Sequence, residues 1–434
     1  MRLYPRKTLW DETAPAGPEH IRLQQDLRTE VAIVGGGFTG LSTAQRLAER
    51  GQSVVVLEAG EIGTGASGRN AGFVVPHFSR VDPTTIRKAL PPHYAERLLS
   101  MVERGGDHIF EKAKLMGLGR QAEQSGWLQP AHTAQMAQVL EARAKEWQKR
   151  RRPVRWLSAP EVAEQTGMDV YFGALYDASG GMINPLALAR ELARLAMNAG
   201  ANVFTSTIID SLRHDGKENI LRTSNGVEIR ADKVIIATNS GTHGAAAGLG
   251  RTVMPLQVYQ IATEPLDPRT VSRIAPNRTP VSDTRTNIFT YRLDAENRLI
   301  SGGMALIPLA AERRMGRRIA KRLAFELGLS QIPSVEYVWR GTAAVTRDGL
   351  PSLVDLGTNV WGATGCNGRG VAFTNVLGVS LADWLISGSD PDKAPLPVMK
   401  AIPLPLRGPG QLAPSAVLAR GMLRDWFDAR KSTR

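Results

Sequence analysis

Cysteine is almost absent from this chain of 434 residues, which contains Cys366 and no other. A single thiol forms no intrachain disulfide and supplies no cluster of cysteine ligands, so disulfide-stabilised scaffolds and Cys-based metal clusters are excluded. We expect no metal site, and the scarcity of cysteine favours a reducing, cytoplasmic location.

Long apolar runs are missing as well. No segment approaches the roughly 18 consecutive apolar residues of a membrane-spanning helix. No apolar stretch follows the basic N-terminus at residues 1–7, so we do not expect a secretory signal. Hydrophobic residues make up 42% and charged residues 22% of the chain, as in ordinary globular proteins. The length suffices for about two or three domains.

Acidic residues are outnumbered by basic ones, 41 to 54, which leaves a formal net charge of +13. Such a charge suits a nucleic acid, an acidic membrane surface or an anionic substrate. The densest patch, residues 149–156, ends an amphipathic helical stretch (134–149), and we interpret it as solvated cations at the negative end of a helix dipole. No nucleic-acid motif accompanies it, so we expect no specific nucleic-acid partner. The basic tail could make a peripheral membrane contact through Arg420, Arg424, Arg430, Lys431 and Arg434.

The clearest positive signal is a strand that runs into a glycine-rich turn. Residues 29–34 lead into Gly35-Gly36-Gly37-Phe38-Thr39-Gly40, after which a helical segment (41–50) and a second apolar strand (53–57) end at Glu58. This order of strand, G-x-G-x-x-G turn, helix, strand and acid is typical of a dinucleotide-binding unit.

Each part of this motif has a mechanical reason. Gly35 permits the tight turn, Gly37 lets a pyrophosphate approach the backbone, and Gly40 lets the helix pack closely on the strand. Free N–H groups at the helix N-terminus can bind the phosphates. Glu58 can accept hydrogen bonds from a ribose and would repel a 2′-phosphate, which favours FAD or NAD over NADP.

A second glycine-rich segment follows the acid closely, at Gly63-Thr64-Gly65-Ala66-Ser67-Gly68-Arg69-Asn70-Ala71-Gly72-Phe73. Further blocks occur in order along the chain, at residues 177–185, 236–239, 262–266, 339–342 with 346–351, and 365–372. Together these blocks resemble those of FAD-dependent amine oxidases of the D-amino acid oxidase superfamily, and most of all its gamma-glutamylputrescine oxidase group. The resemblance spans nearly the whole chain.

The resemblance implies a set of FAD-binding residues by position. Glu58 would hold the adenosine ribose, Ile209 the adenine, and the segment from Gly368 the flavin pyrimidine ring. The implied set is Gly35, Gly37, Phe38, Thr39, Gly40, Glu58, Ala59, Ala66, Ser67, Gly68, Arg69, Asn70, Ala71, Gly72, Phe73, Ile209, Ala237, Thr238, Asn239, Gly341, Gly365, Gly368, Arg369, Gly370, Val371 and Ala372.

Three positions in this set depart from the relatives. Arg369 stands where the oxidase group commonly has His, and Ala71 replaces a Gly. Gly341 lies about where sarcosine oxidases carry the cysteine that links the flavin, so we expect non-covalent FAD. The segment from Gly365 to Gly370 also opens a helix, whose positive dipole end would stabilise an anionic reduced flavin.

Periodicity along the rest of the chain predicts an α/β fold. Asn184 and Pro185 are expected to start a helix over 186–198, and a strand is expected at 203–209. One βαβ unit cannot cover both faces of a parallel sheet, so distant segments must complete it. We predict a discontinuous Rossmann-like FAD-binding domain and a largely antiparallel α+β substrate domain. The predicted segments are 25–90, 170–250 and 338–390 for the FAD-binding domain, 91–169 and 251–337 for the substrate domain, 1–24 for an extended N-terminal arm, and 391–434 for a basic, Pro-rich C-terminal tail.

The resemblance implies FAD-dependent oxidation of an amine or amino acid C–N bond by hydride transfer to flavin, giving an imine that hydrolyses. Molecular oxygen or a quinone would accept the electrons. One alternative is a D-amino acid or N-methyl amino acid dehydrogenase that passes electrons to a quinone, and a distant one is an FAD-binding RNA-modifying or nucleic-acid-binding protein. Weak candidates for substrate contact are His77, Tyr259, Tyr291, Arg292 and Arg369.

Overall fold

The computed structural model describes residues 7–78, 81–241, 243–305, 311–404 and 420–421. Within these ranges, helices and strands form a mixed α/β fold with sheets of nine, eight and three strands. The strands are β1 Leu27–Val34, β2 Val54–Leu57, β3 Phe73–Val74, β4 Ala122–Glu123, β5 Trp127–Pro130, β6 Val154–Leu157, β7 Ala174–Asp177, β8 Gly181–Ile183, β9 Asn202–Phe204, β10 Ile209–His214, β11 Asn219–Thr223, β12 Glu228–Ile236, β13 Met254–Pro265, β14 Val281–Ser282, β15 Thr290–Leu293, β16 Arg298–Gly303, β17 Val335–Val345, β18 Ser352–Gly357, β19 Val360–Thr364 and β20 Val398–Lys400. The α-helices are α1 Leu9–Thr13, α2 Phe38–Glu49, α3 Ala66–Arg69, α4 Pro83–Ala89, α5 Pro92–Leu115, α6 Ala134–Lys149, α7 Ala159–Thr166, α8 Pro185–Asn198, α9 Ala247–Gly250, α10 Pro268–Ile274, α11 Ala311–Glu326 and α12 Gly370–Ile386.

The nine-stranded sheet has β1 near its centre, paired in parallel with β2 on one side and β12 on the other. All four residues of β2 are buried, as expected for a parallel strand covered on both faces. The residues that follow β1 and β2 therefore lie together at the carboxyl edge of the sheet, where α/β proteins bind ligands.

The helices beside this sheet follow their sequence signals. The side chain of Asn184 accepts hydrogen bonds from the N–H groups of Leu186 and Ala187, and Pro185 occupies the first turn of α8. The helix α12 is apolar and packs on α2 and α5. A Cβ on Gly378 would lie 2.7 Å from the carbonyl oxygen of Thr39, so only glycine permits this close approach of α12 to α2.

The eight-stranded sheet is almost entirely antiparallel, as predicted for the second domain; within it, only β5 and β14 pair in parallel. Its long strands β13 and β17 pair from Met254 opposite Val345 to Thr263 opposite Val335. A separate hydrophobic core lies between this sheet and α11. The small third sheet, β3-β8-β4, contains the strand that follows the second glycine-rich segment.

Two strands differ from the predicted segments. The strand β7 lies in the eight-stranded sheet, between β5 and β6, although residues from 170 onward were assigned to the FAD-binding domain. The strand β17 pairs with β13 on both sides of the predicted boundary at 337/338. Long strand pairing, rather than composition, decides which sheet these segments join. The division into two domains stays a prediction.

Three local predictions are also corrected. The strand expected at 203–209 is broken, because Ser206 has a left-handed φ of 49° and β10 begins only at Ile209. The N-terminal arm is not simply extended, since it contains α1, which is capped by Thr8 and buries Trp10. Part of the C-terminal tail belongs to the first sheet, because β20 pairs with β18.

The basic patch after α6 is ion-paired rather than simply solvated. Arg150 pairs with Glu103 and, at 2.7 Å, with Glu96, both on α5. Arg152 pairs with Asp107 on the same helix at 3.1 Å. Of the tail cations, Arg420 is described and exposed, whereas Arg424, Arg430, Lys431 and Arg434 lie outside the described residues.

Candidate functional site

The turn after β1 requires glycine at two positions. Gly35 has a φ of 111°, and a Cβ there would lie 2.7 Å from the carbonyl oxygen of Ala237. A Cβ on Gly40 would lie 2.1 Å from the carbonyl oxygen of Gly35. The start of α2 is thereby held directly behind the turn, with Gly37 as its N-cap, a residue that has no side chain with which to cap the helix.

Glu58 fastens this turn to the end of β2. Its carboxylate accepts the N–H of Gly36 at 2.7 Å and the N–H of Gly60 at 2.9 Å. Burial raises the pKa of Glu58, against the effect of these backbone hydrogen bonds. The neighbouring Ala59 is exposed. A carboxylate fixed in this way retains lone pairs for further donors such as ribose hydroxyls.

The second glycine-rich segment is attached to the first. The Ser67 hydroxyl accepts the N–H of Phe38 at 3.0 Å, and a Cβ on Gly37 would lie 2.9 Å from that hydroxyl. A Cβ on Gly65, just before α3, would meet no atom within 4 Å, whereas one on Gly68 would lie 2.3 Å from the carbonyl oxygen of Gly63. The backbone at the start of α3 therefore borders open space while its far side is tightly packed.

Arg69 joins this segment to β17. Its Nε donates to the carbonyl oxygen of Arg340 at 2.8 Å, and its own carbonyl oxygen accepts the indole N–H of Trp339 at 2.9 Å. A Cβ on Gly341 would lie 3.3 Å from that same oxygen. Gly341 thus lies against the flavin segment that the sequence predicted.

The turn from Asn70 to Gly72 is held from both sides. The Asn70 amide donates to the carbonyl oxygen of Ser67 at 2.8 Å, and its Oδ1 accepts the N–H of Gly72 at 2.8 Å. From the N-terminal arm, the indole N–H of Trp10 donates to the carbonyl oxygen of Asn70 at 2.9 Å. Arg292 donates to the carbonyl oxygen of Ala71 at 2.6 Å. Phe73 then begins β3.

The residues after β12 leave one polar atom without a partner. Ala237 donates its N–H to Val34 at 2.8 Å and so continues the parallel pairing. Asn239, with a φ of 56°, donates to the carbonyl oxygen of Thr342 at 2.9 Å. The Thr238 hydroxyl is buried and has no hydrogen-bond partner within the described ranges. Ile209, predicted near the adenine, is buried at the start of β10.

The C-terminal glycine segment lies beside the residues that follow β3. Gly368 has a φ of 79° and a Cβ there would meet no atom within 4 Å, while Arg369 is the N-cap of α12. The rings of Phe78 and Phe373 lie 5.4 Å apart. His77 and Arg369 line one narrow cavity with these rings and with Ala372. Residues 75–78 and the start of α12, which are far apart in the sequence, thus lie together.

These features fit FAD. Open space borders the backbone at Gly65 and Gly368, where helices α3 and α12 are about to begin. The first N–H groups of helices bind phosphates and other electron-rich oxygens. The unpartnered hydroxyl of Thr238 and the ribose-type acceptor Glu58 add the hydrogen-bonding groups that a dinucleotide requires. The individual FAD contacts stay predictions.

His77 is a buried partner of Asp177. Its Nε2 lies 2.9 Å from the Asp177 carboxylate, and the two side chains are 3% and 2% exposed. Burial lowers the pKa of His77, against the raising effect of Asp177. Burial also opposes ionisation of Asp177, but hydrogen bonds from His77 and Ser179 hold the pKa of Asp177 below its usual value. The Nδ1 of His77 is buried without a partner among the described residues.

Three of the substrate-side candidates lie in the core instead. The Tyr291 hydroxyl donates to the carbonyl oxygen of Ile274 at 2.9 Å, and burial raises the pKa of this tyrosine well above its usual range. Tyr259 is 1% exposed and donates to Gln257. Arg292 is 3% exposed and binds backbone carbonyl groups. These side chains face the packed side of their strands, which alternation alone could not assign.

Arg369 and a residue that the sequence did not indicate, Arg143, lie beside His77. The guanidinium of Arg369 stacks over the Trp127 ring, 5.0 Å from its centroid. Arg143 on α6 is 8% exposed, and its charge lowers the pKa of both His77 and Arg369. The spacing of Arg143 and Trp147, four residues apart on one helix face, was the available signal. Cys366 is partly buried, and burial raises the pKa of its thiol.

The described part of the chain lacks two kinds of feature. No helix there combines the length and apolar character needed to cross a membrane. No group of three or more His, Cys, Asp or Glu side chains there is arranged to hold a metal ion.

Known proteins share both the sequence pattern and the fold. The chain matches the family described as FAD dependent oxidoreductase (DAO) over residues 30–384. It is 32% identical over 365 residues to gamma-glutamylputrescine oxidoreductase of Escherichia coli (strain K12), covering 84% of this chain and 85% of that protein. It is 29% identical over 376 residues to glycine oxidase of Geobacillus kaustophilus (strain HTA426), covering 82% of this chain and 92% of that protein. The crystal structure of glycine oxidase from Geobacillus kaustophilus has a TM-score of 0.68 at 23% identity and covers 83% of this chain and 95% of that one.

These matches confirm the resemblance inferred from the glycine-rich blocks, including that to the gamma-glutamylputrescine group. They also confirm an FAD-dependent oxidoreductase on an α/β fold. The family match covers most of the chain and includes both glycine-rich ends of the site. The chain therefore belongs to the FAD dependent oxidoreductase (DAO) family.

Proposed function

We propose that the protein oxidises a C–N bond of an amine or amino acid with FAD as the electron acceptor. Two observations carry this proposal: the turn after β1 is hydrogen-bonded to α3, and residues 75–78, just after β3, line a cavity together with the start of α12. The relatives support the substrate class, since their names include gamma-glutamylputrescine oxidoreductase and glycine oxidase.

The two glycine-rich segments would hold the cofactor from opposite ends. The turn at Gly35 and the start of α2 would bind the pyrophosphate, and Glu58 would accept hydrogen bonds from the adenosine ribose. The start of α12 would meet the flavin pyrimidine ring. We propose non-covalent FAD, because Gly341 has no side chain with which to form a bond.

When bound, FAD supplies the acceptor for a hydride from the carbon next to the amine nitrogen. The chain's own residues supply charge and exclude water. Arg369 and the positive end of the α12 dipole add positive charge at the cavity. The rings of Phe78 and Phe373 provide apolar walls that keep water out.

His77 is the proposed hydrogen-bond acceptor for the substrate amine. An ionised Asp177 only accepts hydrogen bonds, so the Nε2 of His77 carries the proton and Nδ1 keeps a lone pair. Because burial lowers its pKa, the ring is neutral at neutral pH. Its unpartnered Nδ1 can therefore accept an N–H from a substrate in the cavity.

We further propose a gamma-glutamylputrescine oxidase-like activity in the cytoplasm, with oxygen as the acceptor. A dehydrogenase for D-amino acids or N-methyl amino acids, with a quinone as the acceptor, is the alternative within the same chemistry. The two differ in their product in air, since only the oxidase forms hydrogen peroxide.

The test begins with the absorption spectrum of the purified protein. We expect a flavin spectrum, and we expect acid precipitation to leave the flavin in the supernatant, as it does for a non-covalent cofactor. Anaerobic addition of a panel of primary amines, secondary amines and amino acids should bleach the flavin band with at least one of them. Peroxide assays in air then identify the acceptor.

A colourless protein that takes up no added FAD would contradict the cofactor assignment. A flavin-loaded protein that no amine or amino acid reduces would contradict the reaction. A flavin that stays with the precipitated protein would overturn the non-covalent proposal alone.

A further inference from the structure

The helix α11 presents a strongly basic side to solvent. Its apolar side, with Met315, Ile319 and Leu323, is buried against strands of the eight-stranded sheet. Residues three or four positions apart lie on the same side of a helix. The exposed side therefore carries one continuous row of cations, which we call the basic face of α11 and which consists of Arg313, Arg314, Arg317, Arg318 and Lys321.

The acids of this helix do not neutralise its basic face. Glu312 pairs with Arg340 of β17 at 3.4 Å, and Glu326 pairs with Arg285 and Arg322. Like charges four residues apart on a helix repel one another. This repulsion is uncompensated in the described part of the chain, because four of the cations form no ion pair there, namely Arg313, Arg317, Arg318 and Lys321.

An exposed aromatic ring belongs to the same surface. Phe325 is 85% exposed. It follows Lys321 by four residues and Arg318 by seven, so its side chain leaves the helix on their side. From Arg313 to Phe325 the surface extends over about 18 Å, at the helical rise of about 1.5 Å per residue. One side of α11 thus combines several cations with a large apolar group.

We propose that the basic face of α11 and Phe325 dock the protein on an anionic lipid bilayer. The lipid phosphates pair with the cations, and the ring enters the boundary between headgroups and acyl chains. A nucleic acid offers phosphates to the same cations, but its backbone has no apolar layer for the ring. Docking needs no amine oxidation, so it goes beyond the proposed function.

The first measurement is cosedimentation of the purified full-length protein with lipid vesicles. Vesicles of phosphatidylglycerol and phosphatidylcholine in equal parts should bind the protein, whereas vesicles of phosphatidylcholine alone should not. Salt at about 1 M screens charges beyond about 3 Å and should release most of the bound protein. Absence of binding to the anionic vesicles would overturn the proposal.

The second measurement compares the basic face with the rest of the surface. The triple variant Arg317→Gln, Arg318→Gln, Lys321→Gln should weaken binding to the anionic vesicles roughly 100-fold, about fivefold for each cation lost. It should melt at no lower temperature than the wild type, because it removes like-charge repulsion, and this separates loss of docking from loss of folding. The matched control removes the same charge from exposed positions on α4, α5 and α6 and should weaken binding less than about tenfold; it consists of Lys88→Gln, Lys114→Gln and Lys149→Gln.

The third measurement tests the aromatic ring. Phe325→Ser should weaken binding to the anionic vesicles about tenfold. Leu115→Ser is the matched control, because Leu115 ends α5 and is also 85% exposed, and it should leave binding unchanged. In Phe325→Trp, brominated lipid chains should quench fluorescence beyond the quenching seen in the wild-type protein.

The contrary results are distinct. Equal losses in the two triple variants would show that the net charge binds the vesicles, and the docking surface would be wrong. If heparin binds as tightly as the anionic vesicles and Phe325→Ser leaves vesicle binding unchanged, the surface recognises polyanions in general and the bilayer assignment is wrong. Absence of added quenching in Phe325→Trp would show that the ring stays in water and would overturn its role in docking.

Discussion

Arg292 and Arg369 lie over tryptophan rings at the same distance, 5.0 Å from Trp10 and from Trp127. Burial lowers the pKa of each to about 10. Their other partners differ, because Arg292 donates to three backbone carbonyl oxygens, whereas Arg369 stacks without an ion pair to any described residue. The guanidinium of Arg292 therefore fastens the backbone around the second glycine-rich segment, whereas that of Arg369 contacts an aromatic ring.

The comparison shows how little a residue type says about its role. Both arginines were weak candidates for substrate contact, and both border a glycine-rich segment. What separates them is the number of unpaired carbonyl groups within reach. A guanidinium with five donors stabilises a loop when carbonyl groups surround it, and binds an anion when they do not.

The largest effect is expected from Arg292→Met. It leaves the carbonyl oxygens of Ala71, Ile183 and Leu293 without their donor, so the free energy of unfolding should fall by about 4 kcal/mol. The flavin content of the purified protein should fall with it. Arg369→Met is the control and should change the free energy of unfolding by about 1 kcal/mol or less. If urea denaturation gave equal decreases in the free energy of unfolding for the two variants, the proposed difference between the arginines would be wrong.

The comparison of Arg292 with Arg369 also assumes that the glycine-rich segments at the two ends of the site hold the same cofactor. Glu58→Arg replaces the proposed ribose acceptor with a cation, and FAD affinity should fall roughly 100-fold, measured by titration of the apoprotein. Glu30→Arg is the control, because Glu30 also accepts a backbone N–H, that of Ser53 at 2.5 Å, at the opposite end of β2. Unchanged FAD affinity in Glu58→Arg would contradict the proposal that the turn after β1 and Glu58 bind the cofactor.

A smaller effect is expected at Gly368. Alanine at its φ of 79° should cost about 1–2 kcal/mol in the free energy of unfolding. Gly388 has a φ of 100° and equally open surroundings, so Gly388→Ala should cost a similar amount. Only Gly368→Ala should also weaken FAD binding, since only that backbone borders the proposed flavin. Equal FAD affinities in the two variants would count against the contact.

The smallest effect is the pH dependence of the free energy of unfolding that is due to His77, the neighbour of Arg369. Because burial lowers the pKa of His77 in the folded protein, the unfolded chain takes up the proton first as the pH falls below the ordinary value of 6.5. The free energy of unfolding should therefore decrease on acidification through that range. His77→Gln should flatten the decrease between pH 7.5 and pH 5.5, and an unchanged slope would show that His77 is not buried as a neutral ring.

Local signals predicted much of the framework. The Asn184 cap of α8 acts within its own first turn, and the glycine turn and Glu58 belong to one βαβ unit, 22 residues apart, so sequence spacing was sufficient. The partners of His77 and Trp10 lie 100 and 60 residues away. Arg143 joins the site only because α6 packs beside β6 and β7, which brings its side chain to Gln129 of β5. Such contacts depend on tertiary packing, which no local pattern contains.

The N-terminal segment has a consequence for how the protein is made. Trp10 lies against Trp339, with ring centroids 5.9 Å apart, and both bond to the second glycine-rich segment through Asn70 and Arg69. During synthesis, Trp10 is made long before Trp339. The second glycine-rich segment can thus be locked only after Trp339 has been made, which leaves an apolar indole for chaperones to shield until then.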